Sequence, residues 1–207
     1  MYHAVERNYV TAPNAPASQS QADVEQKNQS CVSCHADSDS KTMHVNPGVK
    51  LACVDCHGGN TAVSRPAGSE QGQEPYLAAM NSAHVLPRIP DKWPTPSSRN
   101  PERTYALLNH ESPEFIRFIN PSDYRIVDEA CGACHQSTIE AARRSLHSTG
   151  AMLWGGASYN NGILPYKNYL LGEAYDRDGN SVVLKGPVMP EHLKQLAADK
   201  GLLEALY

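Results

Sequence analysis

Phenylalanine and tryptophan are scarce in this sequence of 207 residues, which has 2 Phe and 2 Trp against 15 Pro and 14 Gly. A conventional side-chain core would therefore lack the large rings that fill most volume per residue. Positive charge is also in short supply, because 18 basic residues against 22 acidic ones give a formal net charge of -4. This balance does not provide the basic surface of a nucleic-acid-binding protein, so we expect no nucleic-acid partner.

Long apolar runs are lacking as well. None approaches the roughly 20 residues that a helix needs to cross a bilayer, so we expect no membrane span. The first ten residues, MYHAVERNYV, contain no apolar segment of the kind that a secretory signal peptide requires. We therefore expect no export signal in the chain as given.

All 6 cysteines fall in three segments with the spacing C-x-x-C-H, which we call frames 1, 2 and 3. The frames are CVSCH, CVDCH and CGACH, with cysteines Cys31, Cys34, Cys53, Cys56, Cys131 and Cys134 and histidines His35, His57 and His135. Two thiols one turn apart can add to the two vinyl groups on one porphyrin edge, and the adjacent histidine can then bind the iron. The frames predict three covalently bound c-type haems.

Closely spaced cysteines also occur in zinc sites and redox disulfides. Cys34 and Cys53 are separated by 18 residues, so frames 1 and 2 match a four-thiolate zinc site as well. Zinc would leave frame 3 unexplained. It would also make the histidine after each cysteine pair a coincidence. With 9 His in the chain, a histidine would follow all three pairs by chance in roughly 1 of 10,000 cases. A thioredoxin-like pair is disfavoured because no strand-helix-strand pattern surrounds any frame. Haem is the favoured interpretation.

Three six-coordinate irons would need three ligands from outside the frames. Six histidines are available: His3, His44, His84, His110, His147 and His192. His44 lies between frames 1 and 2, so it is predicted to bind the first or the second iron, a choice that spacing leaves open. The neighbouring Met43 is an alternative that would raise the reduction potential, but imidazole is more usual in closely packed multihaem proteins.

His147 and His84 are the next candidates. His147 follows frame 3 in STIEAARRSLHSTG, a predicted helix with a capping box at Ser137 and Glu140 and a stop at Gly150. Helical spacing puts His147 on the apolar face, and a surface histidine at a helix C-terminus is the alternative. His84 precedes the proline-rich segment LPRIPDKWPTP, whose shape an iron ligand could fix.

The other three histidines are weaker candidates. His110 lies between two predicted helices, in a position typical of a solvated cap. His192 falls in the first turn of a predicted helix after Pro190, where it could be a neutral ligand or a surface residue. His3 belongs to a terminus that could reach an iron only by docking on a neighbouring molecule.

Composition divides the chain at residue 30. Residues 1–30 include TAPNAPASQSQADVEQKNQS, which is rich in Ala, Pro, Ser and Gln and predicts an extended arm or linker. Residues 31–207 are predicted to form one domain: a haem pair at 31–60, a proline-rich connection at 61–100, and the third haem with its helices at 101–207. Two frames in 30 residues leave little chain for an apolar core, so we expect the porphyrins to form it.

Regular structure is predicted to be sparse. Asn100-Pro101 and Ser112-Pro113 each predict a short helix that begins at a proline, and residues 190–207 predict an amphipathic helix. YDRDGNSVVL at residues 175–184 predicts a turn or one short β-hairpin. The predicted fold class is mostly α with extensive loops, low regular secondary structure and a haem core.

The frames and their surroundings resemble multihaem c-type cytochromes. CVSCH followed by MH and CVDCHGGN is similar to the paired-haem unit common among them. ACGACHQ, followed by TGAMLWGGASYNNG, is similar to stretches of large bacterial multihaem cytochromes of respiratory or extracellular electron transfer. The resemblance implies a periplasmic or cell-surface electron carrier whose frame cysteines anchor haem and whose frame histidines bind iron. Such proteins usually hold more than three haems, so we expect this chain to be a segment of a longer series.

Electron transfer is therefore the predicted function: three closely packed bis-histidine haems that pass single electrons along the molecule, without enzymatic activity. The expected partners are other redox proteins, or copies of the chain in a head-to-tail filament that the N-terminal arm builds. The alternative is an oxidoreductase that reduces a small nitrogen or sulfur oxyanion at one open haem. Because bacteria attach haem to cysteines outside the cytoplasmic membrane, we expect a mature or excerpted chain in the periplasm or at the cell surface.

Overall fold

The structure is a computed structural model of the chain, and it describes residues 3–36, 44, 46–93, 105–145, 160–163, 184–185, 190–200 and 205–206. The α-helices are α1 (Gln21–Val32), α2 (Cys53–His57), α3 (Glu74–Ala83), α4 (Pro113–Ile119), α5 (Val127–Arg143) and α6 (Glu191–Asp199). Short 3-10 helices span Pro90–Lys92 and Tyr105–His110, and strands β1 (Leu184–Lys185) and β2 (Ala205–Leu206) pair antiparallel. The predicted mostly α fold with extensive loops is confirmed. Within the described ranges, no helix combines the length and apolar composition needed to cross a membrane.

The chain forms two compact units. Unit 1 comprises Met1–Pro101 and Leu108–Ile139 and contains all three frames, whereas unit 2 comprises Glu102–Leu107 and Glu140–Tyr207. The sequence predicts an arm followed by one domain. The observed division differs, because the described residues before frame 1 belong to unit 1 and the residues from Glu140 onward belong to unit 2.

Helix α1 occupies residues that composition assigns to an extended arm. Its start is fixed by a capping box, in which Ser20 Oγ accepts from the Asp23 N–H at 3.1 Å and the Asp23 carboxylate accepts from the Ser20 N–H at 3.0 Å. Val24 is only 2% exposed and packs in one cluster with Val54 of α2. Residues 21–30 are therefore helical, because a good cap and an apolar anchor outweigh a low content of large apolar residues.

The N-terminal residues 3–16 form no regular secondary structure and lie along unit 1 of their own chain. The Val5 N–H donates to the Arg88 carbonyl at 2.7 Å, and the Tyr9 hydroxyl donates to the Leu86 carbonyl at 2.9 Å. Backbone acceptors of a segment that is distant in sequence thus hold the first part of the predicted arm in place.

Helix α2 ends at two glycines with left-handed backbone. Gly58 has a φ of 66° and Gly59 a φ of 90°, conformations that glycine adopts without steric cost. A Cβ atom on Gly59 would lie 3.1 Å from the Ala83 carbonyl oxygen. The glycine pair therefore lets the chain turn directly after His57 and approach the end of α3.

Helix α4 begins where the sequence predicts it. Ser112 Oγ accepts a hydrogen bond from the Phe115 N–H at 3.2 Å, and Pro113 occupies the first turn. Phe115 is fully buried, and its ring meets Trp93 edge-on with 5.4 Å between the ring centroids. One Phe and one Trp thus contribute to the small apolar core of unit 1.

Helix α5 contains the helix predicted after frame 3 and extends it toward the N-terminus. The residues after frame 3 are helical to Arg143, and a helical stretch from Val127 precedes them and runs into the frame. Asp128 and Glu129 in its first turn interact favourably with the helix dipole, which supports the earlier start. One residue inside α5, His135, has non-helical backbone (φ -119°, ψ 19°), so the helical path is interrupted at the end of the frame.

Helix α6 follows Pro190 as predicted, but it ends at Asp199 instead of continuing to residue 207. Gly201 comes soon after this end, and glycine is a poor helix former. Strand β2 then pairs with β1, with Leu184 opposite Leu206. Five predicted features lie outside the described residues: the alternative ligand Met43, the helix start at Asn100-Pro101, His147, the stop at Gly150, and residues 175–183 of the predicted hairpin.

Candidate haem sites

Frame 1 begins in the last turn of α1. The backbone N–H groups of Cys34 and His35 both donate to the Cys31 carbonyl, at 3.1 and 2.9 Å, so the tight helical path continues through the frame. Ser33, in the middle of the frame, connects it to a later segment, because its hydroxyl accepts a hydrogen bond from the Arg65 N–H at 2.8 Å. Frame 1 therefore keeps its two thiols one turn apart, as two thioether links to one porphyrin edge require.

Frame 2 is α2 itself, and a buried carboxylate ties it to α1. Asp55 is 2% exposed and accepts hydrogen bonds from Lys27 Nζ at 2.7 Å, Gln19 Nε2 at 2.6 Å and the Ala52 N–H at 2.7 Å. Burial by itself raises the pKa of Asp55, but these hydrogen bonds outweigh it and bring the pKa below its ordinary value. An ionised Asp55 thus joins frame 2 to the helix that leads into frame 1.

We expect Asp55→Asn to lower the free energy of unfolding by about 2 kcal/mol. The change removes the charge that pairs with Lys27, and breaking a buried ion pair costs roughly 3–5 kcal/mol. Because the Lys27 side chain is 32% exposed, water reduces this loss. Urea denaturation at pH 7 measures it, with Lys27→Met as the partner variant and Lys50→Met, at an exposed lysine, as the control. A loss for Asp55→Asn no larger than that of the control would contradict the prediction.

The thiols connect the three frames in a series. The Cys31 and Cys53 thiols form a hydrogen bond. This hydrogen bond is the largest cause of the raised pKa of Cys31. Burial raises the pKa of Cys56 and Cys131, and Cys131 lies near enough to Cys56 for its charge to raise the pKa of Cys56 further. Frame 1 therefore adjoins frame 2, and frame 2 adjoins frame 3.

His84 faces the histidine of frame 1. It caps the end of α3, where its N–H donates to the Met80 carbonyl at 2.9 Å. Its ring centroid lies 6.1 Å from that of His35, with 29° between the ring planes. Burial lowers the pKa of His84, and the nearby His35 lowers it further. The neutral imidazole, which is the form that binds metal ions, is therefore favoured.

His44 faces the histidine of frame 3. The ring centroids of His44 and His135 are 6.3 Å apart, with 22° between the ring planes. Spacing along the sequence predicts His44 as a ligand at frame 1 or frame 2, whereas in the structure its ring lies beside the histidine of frame 3. Because Cys56 of frame 2 lies near Cys131 of frame 3, a residue close to frame 2 in sequence can be close to frame 3 in space.

Both histidine pairs have a centroid separation close to that of two imidazoles on one iron. With metal–nitrogen bonds of about 2 Å, imidazoles on opposite sides of one iron have ring centroids roughly 6 Å apart. The rings of the two pairs are stacked, with 6.1 and 6.3 Å between their centroids. Frames 1 and 3 thus each have two cysteines for thioether links and a second imidazole close to the frame histidine.

His57 of frame 2 is held through one ring nitrogen. Its Nδ1 lies 2.8 Å from the Phe118 carbonyl oxygen. A carbonyl oxygen can only accept, so Nδ1 carries the proton and Nε2 has the lone pair that a metal ion needs. Metal-binding histidines commonly donate their other N–H in this way, which fixes the tautomer and the ring orientation. His57 therefore has the tautomer of an iron ligand.

The remaining candidate histidines occupy different surroundings. His110 ends the 3-10 helix before α4, as predicted, and is half-buried. His192 is exposed in the first turn of α6, in unit 2. The side chain of His3 is 86% exposed, and its Nδ1 lies 3.6 Å from the Asp91 carboxylate.

The zinc alternative requires four convergent thiolates. Among the residues that the structure describes, no group of three or more His, Cys, Asp or Glu side chains is arranged to hold a metal ion. All four cysteines of frames 1 and 2 belong to that part of the chain. A haem iron has a different requirement, because the porphyrin supplies four of its ligands and the protein supplies the axial ones.

Arg117 connects frame 2 with the N-terminal residues, a role that the sequence analysis misses. Its guanidinium is 3% exposed and donates to four backbone carbonyls: those of Asp55 (2.8 Å), Cys56 (3.2 Å), Ala12 (3.1 Å) and Pro13 (2.8 Å). The Glu129 carboxylate lies 3.5 Å from it. An arginine within the otherwise apolar run FIRFI is the signal that could have indicated its burial.

Comparisons with known proteins give no match. No protein-family model, no curated protein and no solved structure matches this chain. The assignment of function therefore rests on the three frames and on the histidines that face them.

Proposed function

We propose that the chain binds three c-type haems covalently and transfers electrons between redox partners. The observation that carries this proposal is the pairing of a second histidine with the histidine of frame 1 and of frame 3, each at the spacing of one iron. Bound haem would supply the one-electron chemistry of iron, with a reduction potential set by the axial ligands and their surroundings.

Each proposed role belongs to residues already described. The six frame cysteines would anchor the porphyrins, and the iron ligands would be His35 with His84, His135 with His44, and His57 with a second imidazole from one of the remaining histidines. Two imidazoles on one iron leave no position for a substrate. Bis-histidine ligation therefore favours an electron carrier over an oxidoreductase with an open haem.

The contacts between frames support transfer along the molecule. Frame 2 has one cysteine beside frame 1 and the other beside frame 3. Anchors in such a series favour an electron path in which the second site lies between the first and the third.

The proposed partners are other redox proteins or further copies of the chain, in the periplasm or at the cell surface. The N-terminal residues lie along their own chain through contacts such as Val5 to Arg88. A filament in which the arm contacts the next copy would therefore exchange this segment between copies, as in domain swapping.

Haem content tests the proposal directly. The chain should be produced together with a haem-attachment system and analysed by the pyridine haemochrome method. We expect three haems per chain, and two in the Cys131→Ala/Cys134→Ala variant. A chain that carries no haem, or that takes up zinc at frames 1 and 2 instead, would contradict the proposal.

Carbon monoxide then separates a carrier from an oxidoreductase. The dithionite-reduced protein should keep the same Soret band when the gas is added, because bis-histidine irons have no open position. A shift that corresponds to one haem in three would favour the oxidoreductase.

A further inference from the structure

Phe118, in the last turn of α4, contacts the candidate iron ligands of two different frames. Its backbone carbonyl accepts the hydrogen bond from His57 Nδ1 at 2.8 Å. Its ring meets the ring of His84 at a tilt of 48°, with 5.0 Å between the centroids. One residue thus contacts the histidine of frame 2 and the histidine that faces frame 1.

The surrounding backbone holds Phe118 in this position. A Cβ atom on Gly59 would lie 3.5 Å from Phe118 Cε2, so the phenyl ring packs directly on that glycine. The next residue, Asn60, donates its N–H to the Ala83 carbonyl at 2.9 Å, and Ala83 immediately precedes His84. The chain from His57 to Asn60 therefore contacts both Phe118 and the residue that precedes His84.

We propose that Phe118 is a positioning residue that sets the ring plane of His84 and the tautomer of His57, and so joins the ligand geometry of the first and second haem sites. This inference rests on the proposed function. A tilted aromatic contact restricts rotation of the His84 ring. The carbonyl hydrogen bond fixes the His57 ring and increases its basicity as a ligand.

The two contacts can be separated because one uses the side chain and the other the backbone. Phe118→Leu removes the phenyl ring and leaves the carbonyl that His57 requires. In low-spin ferric haem, the largest g-value of the electron paramagnetic resonance spectrum depends on the angle between the two axial imidazole planes. We expect Phe118→Leu to shift the largest g-value of one haem in the holoprotein and to leave the other signals in place.

Phe115→Leu is the matched control. It makes the same change in the same helix, but the ring of Phe115 is fully buried and packs against Trp93. We expect this variant to lower the urea midpoint and to keep the wild-type resonance spectrum. Phe118→Met, which provides a longer, unbranched side chain without a planar ring, should give the same spectral shift as Phe118→Leu.

The outcomes distinguish this inference from the proposed function. If all variants carry three haems and the spectrum of Phe118→Leu superimposes on that of the wild type, the positioning role is wrong and electron transfer by three haems stands. If Phe115→Leu shifts the same g-value as much as Phe118→Leu does, the effect is a general result of loosened packing, and the positioning role is again wrong. A wild-type chain without haem would overturn both.

Discussion

A His44→Ala variant should contain one carbon-monoxide-binding haem in three, and this haem should be the third. His44 faces His135 at 6.3 Å between ring centroids, so its removal leaves one iron with a single imidazole. A ferrous iron with one axial position open becomes high-spin and binds the gas. The fraction of the Soret absorbance that shifts on addition of carbon monoxide measures the number of opened haems.

The identity of the opened haem follows from combining His44→Ala with the loss of one frame. In the Cys131→Ala/Cys134→Ala background, which should carry only the first two haems, adding His44→Ala should open no further site. In the Cys31→Ala/Cys34→Ala background the same substitution should still open one haem. A gas-binding haem that appears with His44→Ala in the first background would show that His44 serves frame 1 or 2, as its position in the sequence predicts.

His84→Ala should give the reverse pattern, because His84 faces His35 of frame 1 at 6.1 Å. Its effect should persist in the chain without the frame 3 cysteines and disappear in the chain without the frame 1 cysteines. The two histidines are thus controls for each other, since both substitutions remove an imidazole of the same size from unit 1.

His44 illustrates what spacing along a chain can and cannot predict, because it lies between frames 1 and 2 in sequence and beside His135 in the structure. The frames themselves are local features. Two thiols and an imidazole lie within five residues, so about one turn of backbone determines their relative positions. The distal ligand is a tertiary feature, and its partner depends on which frames adjoin in space. The Cys56–Cys131 proximity that brings frame 3 near frame 2 has no counterpart in sequence distance.

Local signals predicted helix starts better than composition did. Ser112-Pro113 and Pro190 each mark a helix start that the structure confirms. Composition assigned residues 21–30 to a linker, although Ser20 and Asp23 have the spacing of a capping box and are the pair that starts α1. The low content of large apolar residues concealed this helix, because α1 packs mainly through Val24.

The contacts of Arg117 and of the Phe118 carbonyl could not be found from motifs because each involves a backbone group. Arg117 donates to four carbonyls and Phe118 accepts through one. Every residue has a carbonyl, so no residue type at a fixed spacing indicates such contacts. Only the position of α4 beside frame 2 gives these neighbouring residues their roles.

Arg117→Met should lower the free energy of unfolding by about 5 kcal/mol or more, the largest loss expected of a single substitution in this chain. Methionine has a similar length but no hydrogen-bond donor, so four carbonyls next to a buried position lose their partner. Each buried group that stays unsatisfied costs roughly 1–3 kcal/mol. Domains of this size are stable by about 5–15 kcal/mol. Urea denaturation of the holoprotein, followed by far-ultraviolet circular dichroism, should show a much lower midpoint or no folded baseline.

Two further substitutions separate the hydrogen bonds of Arg117 from its charge. Arg117→Lys keeps the charge but has one compact ammonium, which cannot reach carbonyls on both the N-terminal segment and frame 2, so we expect about half the loss. Glu129→Gln removes the nearby carboxylate, which is 43% exposed and 3.5 Å away, and should change stability by less than about 0.5 kcal/mol. If Arg117→Lys were as stable as the wild type, charge would be the important property and the four carbonyl contacts would contribute little. If Glu129→Gln were as damaging as Arg117→Met, the ion pair would be the main contribution, and the N-terminal segment would not depend on Arg117 for its attachment to frame 2.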